Sequence, residues 1–295
     1  MATFNGHEWL ELQLDSVLNQ VNVDIQLFVS DDLSEDATFT YLKSRAAKDE
    51  RITVLPQSKK FGSAGKNFYR LIQDTDLSDC DYIAFSDQDD IWQHDKCIRH
   101  VELIRKHQTE AVSSNVTAFW SNGKKKTINK SQPQRKLDYL FESAGPGCTF
   151  LMTPWLVNKV REQLMDKGSL ASEVALHDWL TYAICRSYGH KWIVDNASSV
   201  MYRQHQVNVV GANVGISAKW KRLQKLNDNW YRLEVLKIAK IARSISSHTD
   251  VNHLINLLES KNIFTQLKLL TYISESRRKF IDRLLLACAM LIGLF

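Results

Sequence analysis

Leu10, Leu14, Val17 and Leu18 recur at helical spacing near the start of the chain, and an extended apolar run over residues 23–30 follows them. Residues 36–48 then read as a helix, and residues 52–55 as a short β-branched strand closed by Pro56. A helix over 63–73, a buried strand over 81–86 and a helix over 94–107 continue the pattern. Strands alternating with helices predict parallel strands joined by helical crossovers, and so an α/β layered domain. The middle is less regular: 111–120 reads as a strand, 121–136 as a polar, Lys-rich loop, 147–153 as a strand and 179–188 as a helix. From about residue 218 onward the pattern is helical, with few turn signals and no internal repeat. A boundary near residue 215 divides a body, 1–215, from a helical extension, 216–295.

Composition adds little to this picture, and charge adds more. At 295 residues there is room for one large domain or one domain with an appendage. With 44% apolar and 24% charged residues, disordered and fibrous classes are excluded. No apolar run reaches the ~18–20 residues that span a bilayer, and none follows a basic start as a secretion signal would. Cys80, Cys97, Cys148, Cys185 and Cys288 form no CxxC pair and are odd in number. They read as reduced thiols of a cytoplasmic protein. The net charge of +5 hides an asymmetry, because residues 219–283 carry 14 Lys/Arg against 6 Asp/Glu, which leaves −3 on the rest. A basic tail behind a mildly acidic body suggests an anionic partner for the tail. It carries no aromatic-and-basic motif of a nucleic-acid reader, so no nucleic-acid partner is expected.

Residues 284–295 are uncharged and follow Arg277, Arg278, Lys279 and Arg283. A helix of that length reaches only ~18 Å, too short to span. An interfacial helix attracted to anionic lipid fits better than a core helix or a subunit contact.

Five constellations carry candidate chemistry. Ser86-Asp87-Gln88-Asp89-Asp90-Ile91-Trp92 ends an apolar run, and three carboxylates there repel one another unless a cation joins them. In open α/β sheets this edge binds ligands, and hard divalent cations take carboxylate oxygens together with a substrate phosphate. The alternative is an N-cap cluster for the following helix. Val29-Ser30-Asp31-Asp32 also ends an extended run, where an acidic residue can accept from a ribose or a base edge, or simply form a turn. Phe61-Gly62-Ser63-Ala64-Gly65-Lys66-Asn67 opens a helix with small residues and sets Lys66 near a phosphate, without being a P-loop. His177-Asp178-Trp179 starts an apolar helix, where Asp178 is either an N-cap or a general base. In Tyr202-Arg203-Gln204-His205, with Asn208 and Gly211 beyond, Arg203 could neutralise a diphosphate and His205 could complete a metal shell.

In this order the segments resemble the inverting family-2 glycosyltransferases of the GT-A fold, and among these the bacterial rhamnosyltransferases of cell-surface polysaccharide assembly. The carrying residues are Ala2-Thr3-Phe4-Asn5-Gly6, Leu14-Asp15-Ser16-Val17-Leu18-Asn19-Gln20, Ser30-Asp31-Asp32, Gly65-Lys66-Asn67-Phe68 and Asp87-Gln88-Asp89-Asp90-Ile91-Trp92. Gly147-Cys148-Thr149-Phe150, His177-Asp178-Trp179 and Arg203-Gln204-His205 complete the set, which covers residues 1–215. The resemblance implies a Rossmann-like three-layer α/β/α domain with a C-terminal helical extension. It implies Thr3 and Asn5 beside the nucleotide, Asp31 or Asp32 on base or ribose, and Asp87 facing the donor's ribose or sugar. Asp89 would hold Mn²⁺ or Mg²⁺, Asp178 would be the catalytic base, and Arg203 and His205 would close over diphosphate and metal.

The implied reaction is a single displacement. A hydroxyl deprotonated by Asp178 attacks the anomeric carbon opposite the nucleotide, and the leaving diphosphate is stabilised by metal and Arg203. dTDP-L-rhamnose is the implied donor, with a UDP-hexose or UDP-N-acetylhexosamine as alternative. The acceptor is expected to be a glycan on a lipid carrier, at the cytoplasmic face of the cell membrane. Family members have an apolar strand ahead of the Ala2–Gly6 segment, whereas here that first strand is expected to be missing, since Met1 lies within the motif. The rival readings are a nucleotidyltransferase and a non-catalytic carbohydrate- or membrane-binding protein.

Overall fold

The computed structural model describes residues 1–205, 229–246, 248–260 and 262–295. The boundary expected near residue 215, with Asn208 and Gly211, lies outside them. The first half runs β1 (Ala2–Thr3), α1 (His7–Leu18), β2 (Leu27–Asp31), α2 (Thr38–Ala46), β3 (Ile52–Val54), α3 (Ala64–Asp74), β4 (Ile83–Ala84), β5 (Ile91–Trp92) and α4 (Lys96–His107). Then come β6 (Ala111–Trp120), β7 (Lys125–Ile128), β8 (Leu151–Met152), α5 (Pro154–Met165), α6 (His177–Ser187) and β9 (Trp192–Gln204). The C-terminal helices described are α7 (Trp230–Ile245), α8 (Thr249–Glu259), α9 (Ile263–Leu269), α10 (Ile273–Ser276) and α11 (Phe280–Leu291).

The strands form two sheets. β1, β2 and β3 are parallel, with Ala2 opposite Ser30 and Thr3 opposite Asp31. The second sheet has the order β4-β8-β6-β9-β5, with β7 against β6. The Ala2 N–H donates to the Ser86 carbonyl (3.2 Å), which sets β1 beside the β4 segment and joins the two sheets. Parallel pairing, expected throughout, holds in the first sheet and between β6 and β9. It fails at β8, which is antiparallel to both β4 and β6, and at β5, antiparallel to β9. The Ala2–Gly6 segment itself supplies β1, Ala2–Thr3, with the Met1 amino group donating to the Phe28 carbonyl (2.6 Å).

Two apolar layers sandwich the sheets. Leu10, Leu14, Val29, Val101, Ile104 and Val116 pack on one side. On the other, Phe68, Phe85, Phe150, Trp179 and Trp192 share a single cluster with Val235, Ile238, Leu254 and Leu258 of α7 and α8. Each such side chain fully buried contributes ~1.5–3 kcal/mol, so the C-terminal helices are part of the body's core. Arg232 pins them: it is buried, and its guanidinium donates to the carbonyls of Leu257, Leu258, Ser260 and Phe295.

Two sequence expectations change. The polar 121–136 segment holds strand β7, which pairs antiparallel along the edge of β6 with its lysines exposed. The strand expected over 147–153 is a 3₁₀ turn, Gly147–Thr149, followed by only Leu151–Met152.

Candidate active site

Thr3 and Asp31 face each other at the ends of β1 and β2, and both are buried. Asp31 Oδ1 accepts from Thr3 Oγ1 (3.1 Å) and Ser34 Oγ (2.6 Å). Its Oδ2 accepts from the Ser34 N–H (2.9 Å) and Gln57 Nε2 (2.7 Å). A carboxylate has about four acceptor sites, so the chain's own donors fill this one. Asp32 is treated differently. Each of its oxygens takes one backbone N–H, from Phe61 and from Gly62, which leaves acceptor capacity on both.

Asn5 occupies the left-handed region (φ 48°), which asparagine tolerates. Its N–H donates to Ser34 Oγ (2.8 Å) and its side-chain oxygen accepts from the Glu35 N–H (2.7 Å). Gln88 clasps Phe4 through both backbone groups, and a Cβ on Gly6 would lie 2.2 Å from Gln88 Oε1. A side chain at position 6 would therefore displace Gln88 from its hold on Phe4. Lys66 is exposed in the first turn of α3, where its N–H donates to the Ser63 cap (3.3 Å). The structure brings Thr3, Asn5, Asp31 and Asp32 together and leaves the Lys66 ammonium without a hydrogen bond among the described residues.

The acidic turn lies between β4 and β5. Burial, then the charges of Asp89 and Asp178, raise the Asp87 carboxyl to about 7. Burial and the same crowding push Asp90 well above the ordinary carboxylate range. Asp90 Oδ1 accepts the Arg203 N–H (3.1 Å), while no hydrogen bond of ordinary geometry reaches its buried Oδ2 among the described residues. Ligand atoms of Asp87, Asp90 and Cys148 all lie within 4.8 Å of one another. Burial and Asp90 push the Cys148 thiol up, so it stays protonated beside that carboxylate. His205 Nε2 is 2.7 Å from Asp89 Oδ2, and its ring stacks on Trp9 at 4.2 Å. Arg203 Nε donates to the Asp89 carbonyl (2.8 Å), and the guanidinium lies 4.7 Å from the Phe119 ring centre. Beneath the turn the buried Lys96 ammonium sits 3.4 Å from the centre of the Trp92 ring, and burial lowers it to about 8.

The third group is at the start of α6. Leu176 is the N-cap, so Asp178 is the second helical residue and not a cap. Its Oδ1 accepts the Trp179 N–H (2.7 Å), and a first-turn position favours negative charge. Burial nonetheless raises Asp178 to about 6, against the Trp179 N–H, the Lys130 ammonium and the Ser143 side chain. His177 stacks on Phe68 (3.9 Å), and burial takes it down to about 3, so it is neutral. A Cβ on Gly147 would lie 2.5 Å from His177 Nε2 and 3.4 Å from Asp178 Cβ. A side chain at position 147, in the 3₁₀ turn before β8, would therefore push on His177 and crowd Asp178.

Residues 1–157, more than half of the chain, match the family described as glycosyl transferase family 2. The chain belongs to this family. Over its full length it is 38% identical to the dTDP-rhamnosyl transferase RfbG of Shigella flexneri, with 100% of both chains covered. It is also 27% identical over 161 residues to WfgD of Escherichia coli, a UDP-Glc:alpha-D-GlcNAc-diphosphoundecaprenol beta-1,3-glucosyltransferase, covering 54% of this chain and 60% of that protein. In fold it is similar to S. aureus TarS in complex with UDP-GlcNAc, with a TM-score of 0.62 and 13% identity over 99% of this chain and 77% of that one. The family-2 membership and this likeness agree with the expected GT-A fold, and the chain is a glycosyltransferase of polysaccharide biosynthesis.

For a family-2 enzyme the acidic turn fits a hard divalent cation. Asp87, raised by burial and by neighbouring carboxylates, and Asp90 Oδ2, without a hydrogen bond among the described residues, both mark a place where a cation would relieve crowded acidic groups. The expected pair, Asp89 and His205, is in contact. Asp90, Cys148, Lys96 and Trp9 were not selected from the sequence as site residues. Asp90 lay within the acidic motif, but Cys148 joins it only through the 3₁₀ turn.

Proposed function

We propose that this glycosyltransferase moves L-rhamnose from dTDP-L-rhamnose to a glycan acceptor in one inverting displacement, with Asp178 as general base. The observation that carries the reading is Asp178 itself. It is a half-buried carboxylate within the electrostatic reach of Asp87 and Lys130, raised to about 6. At neutral pH it is ionised yet basic enough to take a hydroxyl proton, a contribution typically of about 10²–10⁴-fold. The full-length likeness to RfbG supports rhamnose as the sugar and dTDP as the carrier.

Thr3 and Asn5 would lie beside the nucleotide, with Asp31 holding Thr3, Ser34 and Gln57 in place. Asp32, with acceptor capacity left, would take a donor from base or ribose, Asp87 would face the sugar, and Lys66 would reach a phosphate. Arg203 would close over the diphosphate. Asp89 and His205 would hold Mn²⁺ or Mg²⁺, which when bound neutralises charge on the departing diphosphate.

Among the described residues no helix is long and apolar enough to cross a membrane. Exposed Phe280, Ile281, Leu284 and Leu285 on α11, flanked by Arg277, Lys279 and Arg283, support peripheral binding to the cytoplasmic face of the cell membrane and an acceptor carried on lipid.

The test is nucleoside diphosphate release from a panel of nucleotide sugars with Mn²⁺ or Mg²⁺, with and without chelator. Chelator-sensitive release from dTDP-L-rhamnose alone is expected. Release from UDP-glucose or UDP-GlcNAc instead would keep the mechanism and replace the donor. Silence with every donor, together with no calorimetric donor binding, would favour the non-catalytic reading.

A further inference from the structure

Lys130 follows β7, and its N–H donates to Asn115 Oδ1 (2.6 Å), which fixes its backbone. Its stem packs over Gly145, where a Cβ would be 3.7 Å from Lys130 Cγ. The ammonium is near enough to Asp178 to stabilise that carboxylate's charge. Beside Lys130 runs the segment that leads into α11. Burial, then Lys279 and Arg278, lower the Lys130 ammonium to about 8, so it stays charged at neutral pH in a positive surrounding.

Two of the nearby carboxylates are already taken by arginines. Glu142 pairs with Arg278 (3.2 Å) and Arg277 (3.5 Å), and Asp138 with Arg186 (3.2 Å). Among the described residues neither Lys130 nor Lys279 has a carboxylate within salt-bridge distance. Lys279 is the N-cap residue of the twelve-residue α11, whose first two residues, Phe280 and Ile281, are 70% and 62% exposed. Base, cations and exposed apolar turn therefore follow one another.

We propose that Lys130 and Lys279 bind the diphosphate of a lipid-linked acceptor, with the attacked sugar at Asp178 and the lipid chain leaving over Phe280 and Ile281. The proposal rests on the glycosyl-transfer reading and assigns its acceptor side. A neutral acceptor would leave Lys279 without a carboxylate at salt-bridge distance among the described residues and Lys130 with only Asp178 and Glu142 nearby, whereas phosphate oxygens accept from ammonium groups strongly. The diphosphoundecaprenol in the name of the relative WfgD is an acceptor of this chemistry. Because the cations adjoin the base, the attacked sugar is one close to the diphosphate, so the enzyme acts on short lipid-linked glycans.

The experiment is calorimetric titration of the full chain, pre-saturated with dTDP and Mg²⁺, with geranyl diphosphate. Binding is expected, weakened about tenfold or more by each of Lys130→Met and Lys279→Met, a loss typical of a charge-assisted contact. The Lys130→Arg, Lys279→Arg double variant should stay within about threefold of wild type. Unchanged dTDP affinity in the methionine variants would show that they are folded. Equal geranyl diphosphate affinity in wild type and the methionine double variant, or no binding at all, overturns the proposal. So does inorganic pyrophosphate binding as tightly as the prenyl compound, which would make this a site for free diphosphate. Lysine-dependent binding without turnover of dTDP-L-rhamnose would sink the donor reading and leave this site standing. Turnover of a lipid diphosphate acceptor with equal kcat/KM in both proteins would do the reverse.

Discussion

Asp31 and Asp178 are two carboxylates withdrawn from water near one site, and the fold treats them in opposite ways. Asp31 is filled by four donors of its own chain, from Thr3, Ser34 and Gln57. Asp178 receives the Trp179 N–H (2.7 Å), and burial raises it to about 6. A carboxylate saturated by its own scaffold has no acceptor site left for a new partner, so it serves as a geometric pin. One left short of donors keeps its proton affinity near neutrality, which is what a general base needs.

The sharpest test of this contrast is Asp178→Asn, which should cut turnover by about 10²–10⁴-fold while leaving donor affinity by calorimetry unchanged. Near-full activity would remove Asp178 from the chemistry. Next in size is pH. The carboxyl must be ionised to accept a proton, so kcat/KM should fall about tenfold per unit below pH 6 and level off above it. A profile flat down to pH 5 would mean that the base lies elsewhere.

Asp31→Ala should instead act on the fold. Removing the acceptor of four donors, the buried Thr3 hydroxyl among them, should lower stability by about 1–3 kcal/mol in chemical denaturation, with loss of donor binding as a consequence. Full stability with lost donor affinity would make Asp31 a direct nucleotide contact and erase the contrast. Gly147→Ala forces a Cβ to within 2.5 Å of His177 Nε2, which should destabilise by about 1–3 kcal/mol and lower kcat more than donor affinity.

The smallest effect has an unusual sign. The native value of Asp178, about 6, lies above the ~3.9 of an unfolded aspartate, so its ionisation lowers stability as pH rises between the two. Asp178→Asn should therefore melt higher than wild type at pH 7.5, with the difference gone at pH 4. A lower melting point at pH 7.5 would show that the ionised carboxylate is well satisfied after all.

Much of this was legible along the chain, and the exceptions have physical reasons. The helices α1, α3 and α4 follow from apolar periodicity alone, because one face of each meets a sheet. The 13-residue β9 was not, since Asp195, Asn196, Ser198 and Ser199 interrupt its apolar positions and it is held by pairing with β6 on one side and β5 on the other. α5 carried a readable signal, a proline at its first position and Leu156, Val157, Val160 and Leu164 at helical spacing, that the strand expected over 147–153 obscured. Within the site, Asp87, Asp89 and Asp178 stood out because carboxylates after apolar runs are conspicuous. Cys148 could not, because its approach to Asp90 is created by tertiary packing between residues 58 positions apart.

The Arg278 strap bears on how such enzymes can be recombined. This arginine, its side chain only 2% exposed, donates to Glu142 and to the Ser143 and Ala144 carbonyls, and so fixes the turn that lies against residue 178 from a position 100 residues further on. Thr3, Asp31 and Asp87, with the strands around them, all lie before residue 93. A crossover between relatives placed near residue 110 exchanges the front segment whole. One placed between residues 148 and 277 separates Glu142 from its arginine partners, leaving the chimera with a buried cation and a loosened turn beside Asp178.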